Sequence, residues 1–538
     1  MTAAPPHAHP RLPAWLALVI AFVSAPAGIV PAGDLVLTVT DENSRTIPCR
    51  VLLHDHAASG DESASVTPDG ATVLKIGPQR WFMSDGHVRL DLRAGRYDLR
   101  IECGTEFRRF KQTIDVPEQG LEKTVRLERW VNMRERGYLC GENHVHRSAA
   151  EVGPMAIAEG LDFASSMTWW NGPDQQRPVP PGDGPTRRLR FADREITATI
   201  HDAELEYAWG AAYIQHQPQP LPIPSDRSRP NLFYLQHAVD RGAMVHYQGG
   251  WSREVGLDAL LGLVHVVNVC NNNYHLHRYQ PRTQYSNLLE VDGFPVYPDT
   301  EAGMLQMNTD TYYRLLNWGL KLPAGAGSAT GAKQTPVGYN RAYVRCDADA
   351  TLEDFNENWK AGRNFVTNGP VILLNGPEGT QPGDEITLTG GPHTLDFILT
   401  VLSDQPLQTI EFIQNGQVVQ SFPGDDQNQS EHRFHLEVDR SAWLAARCTA
   451  RDDLLTDAAL ARYDNPPLQR PSRLRFAHTS PIYITLDGQP ATVRRSVEEG
   501  LQMLDRLQTF AEENAAPDLR DEFSQAVERG REILRSRL

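Results

Sequence analysis

The stretch Cys140-Gly141-Glu142-Asn143-His144-Val145-His146-Arg147 sets two histidines two residues apart, just after the apolar run Tyr138-Leu139-Cys140. Residues i and i+2 of a strand project to one face, so His144 and His146 point the same way. Two imidazoles on one face at a strand end can hold a borderline ion such as zinc. The same pair also suits a satisfied polar cluster, so the chemistry depends on what other donors converge there. His246 closes a later apolar run, Ala243-Met244-Val245-His246, and is placed for such a role. His275-Leu276-His277 repeats the spacing after Asn271-Asn272-Asn273, where a polar loop is the expectation. Cys140, Cys270, Cys346 and Cys448 are scattered with no Cys-x-x-Cys spacing, which excludes a cysteine-based zinc cluster. Cys49 and Cys103 fall in one β region and are the best-placed pair for a disulfide, although free buried thiols are the simpler expectation.

The elements that must position these residues change character along the chain. Over 33–130 the pattern is β: Leu35, Leu37 and Val39 alternate with polar neighbours, and Val88-Arg89-Leu90-Asp91-Leu92 leads through Ala94-Gly95 to Tyr97–Ile101. This predicts a β-sandwich accessory module, a spacer or binding unit without a catalytic constellation. Over 131–370 short apolar strands alternate with helical segments, as in Leu161–Ala164, Val264–Val269 and the helix expected from Asp310 to Trp318. Strand, helix, strand predicts an α/β fold with a parallel arrangement, a barrel whose chemistry sits at the strand ends. Over 371–488 β character returns, with Asn415-Gly416 marking a hairpin between alternating runs. Over 489–538 a C-terminal helical tail keeps Val497, Leu501, Leu504 and Leu507 on one stripe, with a second helix through Phe523, Val527 and Leu534.

Composition narrows the partners. At 538 residues the chain is long enough for several units, and a net charge of −16 argues against nucleic acid or an anionic membrane surface. Residues 1–32 have the form of a signal peptide, with Arg11, an apolar segment from Trp15 to Val23 and small-x-small Ala25-Pro26-Ala27. The apolar core is short for a span of about 20 residues, and no later segment is expected to cross a membrane. The expectation is an exported protein, periplasmic or extracellular.

Several strings together resemble the carbaryl-hydrolase-like (CehA/McbA) branch of the PHP (polymerase and histidinol phosphatase) superfamily. They are Gly141–His146, Gly160-Leu161-Asp162-Phe163, Gly362-Arg363-Asn364-Phe365-Val366-Thr367-Asn368-Gly369-Pro370 and Ser480-Pro481-Ile482-Tyr483-Ile484. The resemblance implies a distorted (β/α)7 barrel with metal at its strand ends, and metal-dependent hydrolysis of an ester, carbamate or phosphoester bond. Where it implies Thr-Asp-His-Asn, this chain has Thr168-Trp169-Trp170-Asn171, and where it implies Gly-Ser-Asp-x-His, this chain has Gly327-Ser328-Ala329-Thr330-Gly331. The third motif keeps a Glu, either Glu204 or Glu206, but loses its His. The resemblance therefore leaves His144, His146, His246 and one carboxylate, Glu206 or Glu204, as metal ligands. That set suffices for one divalent ion, zinc, manganese or iron. His201 and His216 flank the Glu segment and can complete a rearranged site.

In the hydrolase expectation the carboxylate of Glu204 or Glu206 takes the proton or else binds the metal directly, and Arg253 beside Glu254 orients an anionic or sugar-like small-molecule substrate. The alternative is an inactive PHP-like protein that binds carbohydrate through Trp169, Trp170, Trp209 and Trp251 at a barrel mouth. Adjacent Trp169 and Trp170 on a strand face opposite sides, so only one of them can line such a pocket.

Overall fold

The computed structural model describes residues 32–58, 64–170, 184–206, 208–276, 283, 296–424, 429–452 and 473–538. The expected signal peptide, apart from Ala32, lies outside the described residues, as do Asn171 and His277.

The N-terminal module is built from two sheets, a three-stranded one around Ala32–Thr40 and a six-stranded one around Cys49–Asp55 and Gly95–Glu102. Alternation drives it: along His87–Arg93, Val88, Leu90 and Leu92 turn inward while the residues between them are exposed. The inward side chains of both sheets form one core with Leu35, Leu53, Leu99 and Ile101. The module does not hang as a spacer. Arg50 lies 3.2 Å from buried Glu159, and Arg109 grips Asp452 through two bonds of 2.9 and 3.0 Å.

The expected (β/α)7 barrel is not the architecture. Strand residues far outnumber helical ones, and the sheet carrying the His-x-His segment is large and mixed, its named strands forming no closed barrel among the described residues. Its order runs from the edge strand Ala324–Ala326 through Val266–Cys270, Met244–Gln248, Ala212–Gln215, Arg194–Leu205, Phe163–Trp170 and Tyr138–Gly141. It continues through Arg341–Arg345 and Asn364–Thr367 into Leu474–Thr479 and Ala442–Arg451, so one sheet crosses the boundary expected at 370. Tyr138–Gly141 is parallel to Phe163–Trp170, but Arg194–Leu205 is antiparallel to Ala212–Gln215, which is antiparallel to Met244–Gln248. For the first of these antiparallel pairs the physical reason is loop length. Residues 206–211 join their two strands directly, and a parallel return needs a crossover of about a dozen residues or more. The Ala324–Ala326 edge finds no further ladder partner among the described residues. Instead its carbonyls accept from Asn143 N–H at 3.2 Å, Trp359 Nε1 at 3.0 Å and Asn364 Nδ2 at 2.9 Å. One backbone and two side-chain donors thus cover the edge.

The hairpin at Asn415-Gly416 forms with φ of 48° and 83°, the left-handed pair that this dipeptide favours between paired strands. The helices Arg494–Asn514 and Arg520–Arg535 bury Val497, Leu504, Leu507, Phe523, Val527 and Leu534 in the largest core. No described helix is long and apolar enough to cross a membrane.

Candidate metal centre

The strand Tyr138–Gly141 leads into the segment that carries His144 and His146, both almost wholly buried. Cross-strand register supplies their surroundings. Trp170, Glu204 and Tyr213 are neighbours in one row across three strands, so all three share a face. His144 Nε2 lies 2.8 Å from His146 Nε2 and 3.3 Å from Glu204 Oε1, and His146 Nε2 lies 2.8 Å from Glu204 Oε2. The Tyr213 ring leans on His144 at 4.1 Å between centroids and the Trp170 ring on His146 at 4.6 Å.

This buried His144–His146–Glu204 group can hold a metal ion. Bonds of about 2.0–2.1 Å at angles near 90–110° leave neighbouring ligand atoms about 2.9–3.4 Å apart, close to the separations here. Glu204 Oε2 is buried and makes no well-directed hydrogen bond, and His144 Nδ1 has no partner. A buried carboxylate whose two oxygens each face a ring nitrogen is a donor set that a cation satisfies. Two histidines and one carboxylate also leave coordination positions open, as hydrolytic sites require.

The electrostatics fit. Burial opposes the Glu204 charge, but His144 and His146, through charge and hydrogen bonding, hold its carboxyl well below the usual range. Burial pushes His144 down, against the pull of Glu204, which favours the neutral ring that binds metal. Glu206 stands beside the group, half-buried, with Oε2 accepting from Trp170 Nε1 at 3.0 Å. Burial, reinforced by the Glu204 charge, pushes its carboxyl up to about 7.

The remaining expected residues fall elsewhere. His246 is fully buried beside Tyr213 in register, but its ring packs on Trp359 and its Nδ1 lies 2.7 Å from Asn143 Nδ2. Its donors stay outside the group. Arg253 stacks its guanidinium over Phe510 of the C-terminal helix at 4.8 Å and does not join the donor group. Glu254 accepts the N–H groups of Asn231 and Leu232, both at 2.8 Å, at the start of the helix Asn231–Val239. Of the two candidate carboxylates, Glu204 is the donor and Glu206 is not. His201 faces the Gln217 carbonyl at 3.2 Å and His216 the Asn356 amide at 3.2 Å. His275 is buried outside the group.

Trp169 turns into the core beside Tyr234, whereas Trp170 lines the site where the resemblance expects a histidine. Trp209 is core against Phe510 and Phe523, and Trp251 rests near Met167 and Tyr213. The segment Gly327–Gly331 lies alongside the histidines: Ala329 N–H donates to His144 O at 2.7 Å and His146 N–H to Thr330 O at 2.8 Å. A Cβ at Gly331 would meet His146 O at 2.2 Å, with φ at +108°, so this approach needs glycine. The segment leads to Lys333, whose charge acts on both His144 and Glu206. Tyr213 and Lys333 escaped the sequence reading. The only available signal for Tyr213 was strand pairing with Glu204, which local pattern does not encode.

No protein-family model and no curated protein matches the chain. Among solved structures it is similar to a streptococcal ancillary pilin, at 12% identity over 23% of this chain and 38% of that one, with a TM-score of 0.14. The chain spans well under half of that protein, and a likeness so slight carries no argument.

Proposed function

We propose that the protein is an exported hydrolase that holds one divalent ion, zinc, manganese or iron, on His144, His146 and Glu204. Its target on this proposal is an ester, carbamate or phosphoester bond of a small-molecule substrate. The supporting observation is the convergence of three buried donors at ligand-like separations beside a carboxyl raised to about 7. A bound divalent ion supplies Lewis acidity and a nucleophilic water near neutral pH. Glu206 takes the proton, its raised pKa matching a base that works near neutrality. Trp170 fixes Glu206 Oε2 through its indole N–H, so the carboxylate face that receives the proton is set. The Trp170 and Tyr213 rings shield the histidines from bulk water, which strengthens every charge interaction inside. The positive charge of Lys333 favours a substrate that is, or becomes, anionic. The resemblance to the CehA/McbA branch belongs to the same proposal, restricted to the motifs around His144 and His146.

The test is metal content of the purified protein by elemental analysis, beside a His144→Ala/His146→Ala double variant. About one equivalent in the wild type, lost in the variant, supports the proposal and leads to an ester and phosphoester screen. No metal in either refutes it. One observation favours the alternative, carbohydrate binding without catalysis: an aromatic face, Trp170, stands where a ligand is expected. A metal-free protein that binds glycans and loses them in Trp170→Ala would establish that role.

A further inference from the structure

We propose that Cys49 and Cys103 are joined by a disulfide in an oxidising compartment, tying together the two strands that dock the N-terminal module onto the site-bearing sheet. All six cysteines are buried free thiols in the structure. The strands Cys49–Asp55 and Gly95–Glu102 run antiparallel with Arg50 opposite Glu102, Val51 opposite Ile101 and Leu53 opposite Leu99. One step further along this register sets Cys49 opposite Cys103.

The kind of pair follows from the hydrogen bonds. His56 N–H donates to Arg96 O at 3.1 Å, so His56 and Arg96 are a hydrogen-bonded pair. Antiparallel pairs alternate, which makes Arg50–Glu102 hydrogen-bonded as well and leaves Cys49–Cys103 non-hydrogen-bonded. Such pairs hold their Cα atoms about 4.5 Å apart, inside the disulfide range of about 4.4–6.8 Å. Both side chains lie on the core face with Val51, Leu53, Leu99 and Ile101. Cys103 Sγ sits 3.3 Å from the carbonyl of Pro48, the residue before Cys49. The other four thiols have no such opposite number. Cys140 Sγ donates to Gly160 O at 3.3 Å, and Cys270 Sγ lies 3.5 Å from Asn340 Oδ1.

The location gives the bond a consequence. Arg50, next to Cys49, pairs with Glu102 and reaches Glu159, the cap of the helix Ala149–Ala158 that follows His146. Gly104, next to Cys103, approaches the Glu159 backbone so closely that a Cβ would meet its carbonyl oxygen at 2.2 Å. A bond at Cys49–Cys103 therefore holds both strand ends against that helix. The step balances by exchange: the two thiols are oxidised to one disulfide while a disulfide oxidant, such as oxidised glutathione, is reduced to two thiols. Burial pushes Cys103 up to about 12 and Cys49 well above its usual value, so the folded thiols are poor nucleophiles. The bond accordingly forms during folding, before the module closes.

The experiment refolds the full chain from denaturant in a redox buffer of oxidised and reduced glutathione, quenches exchange with acid, alkylates the remaining thiols in denaturant, and maps peptides without reduction. The expected result is a single cross-link between the Cys49 and Cys103 peptides, with the remaining four of the six cysteines alkylated. The oxidised wild type then unfolds at a higher temperature than a Cys49→Ser/Cys103→Ser double variant, and reduction removes the difference. Six alkylated cysteines, or a cross-link between any other pair, overturns the proposal. A Cys49–Cys103 link with no difference in unfolding temperature overturns its role as a tie. None of these outcomes depends on metal or hydrolysis.

Discussion

Replacing Glu204 by Gln removes one of three donors while keeping the side chain's shape. The wild-type carboxylate lies 3.3 and 2.8 Å from the two imidazole nitrogens, and both histidines stabilise its charge. The neutral amide keeps one oxygen and turns an N–H₂ group toward a ring nitrogen or the ion. Loss of a partner outside the coordination sphere costs about 10–100-fold in metal affinity. Loss of a donor itself costs at least the upper figure, about 2.8 kcal/mol at 1.4 kcal/mol per tenfold. With zinc at about 100 times the wild-type Kd, the wild type gains about 2.7 kcal/mol of stability and the variant, now near its own Kd, about 0.4 kcal/mol. Calorimetric zinc titration and thermal unfolding with and without zinc read this directly. His246→Ala is the contrast: truncation lowers the metal-free stability, but the zinc increment stays, because its nitrogen faces Asn143. A folded Glu204→Gln protein that binds zinc as tightly as wild type would refute the donor assignment. Equal loss of zinc in His246→Ala would refute the exclusion of that histidine.

Glu206→Gln leaves metal content unchanged and lowers hydrolysis by about 10²–10⁴-fold. The wild-type rate rises with pH as this base ionises, and this limb disappears in the variant. Gly331→Ala removes no donor, yet its Cβ would strike His146 O, so zinc affinity falls in a protein whose circular dichroism is unchanged. Burial holds Asp258 well above its usual value, the Glu254 charge adds to this, and Glu254 itself is pushed up to about 8. The folded state therefore keeps protons that the unfolded chain releases above about pH 4. Their stabilisation is full below that pH and is lost as pH rises above it, so Asp258→Asn flattens the pH dependence of urea-measured stability. Trp209→Ala, which empties the contact with Phe510 and Phe523, costs about 3–5 kcal/mol in the same measurement.

Much of the local structure was legible because it is written in side-chain periodicity. Val88, Leu90 and Leu92 announce a half-buried strand, Asn415-Gly416 its hairpin turn, and Val497 to Leu507 an amphipathic helix, and each forms as expected. The barrel was not legible. A fully buried strand such as Met244–Gln248 is covered on both faces whichever way its neighbours run, so its composition does not report direction. Residues 206–211 carried the useful signal, a connection too short for a parallel return. The candidate site was half legible. The i, i+2 spacing placed His144 and His146 together, but Glu204 and Glu206 have the same spacing and the same side-chain type. Nothing local separates the donor from its neighbour.

By itself the sequence set two imidazoles two residues apart just beyond a strand, and the resemblance pointed to a carboxylate at 204 or 206. Tertiary structure decided the rest. It chose Glu204 because strand pairing sets that residue in one row with Trp170 and Tyr213. It removed His246 by turning Nδ1 to Asn143, and it carried Arg253 away onto Phe510. The reason is physical: periodicity fixes which face a side chain takes, whereas a metal centre needs atoms from separate strands within a few ångströms, and only register and sheet curvature set those distances.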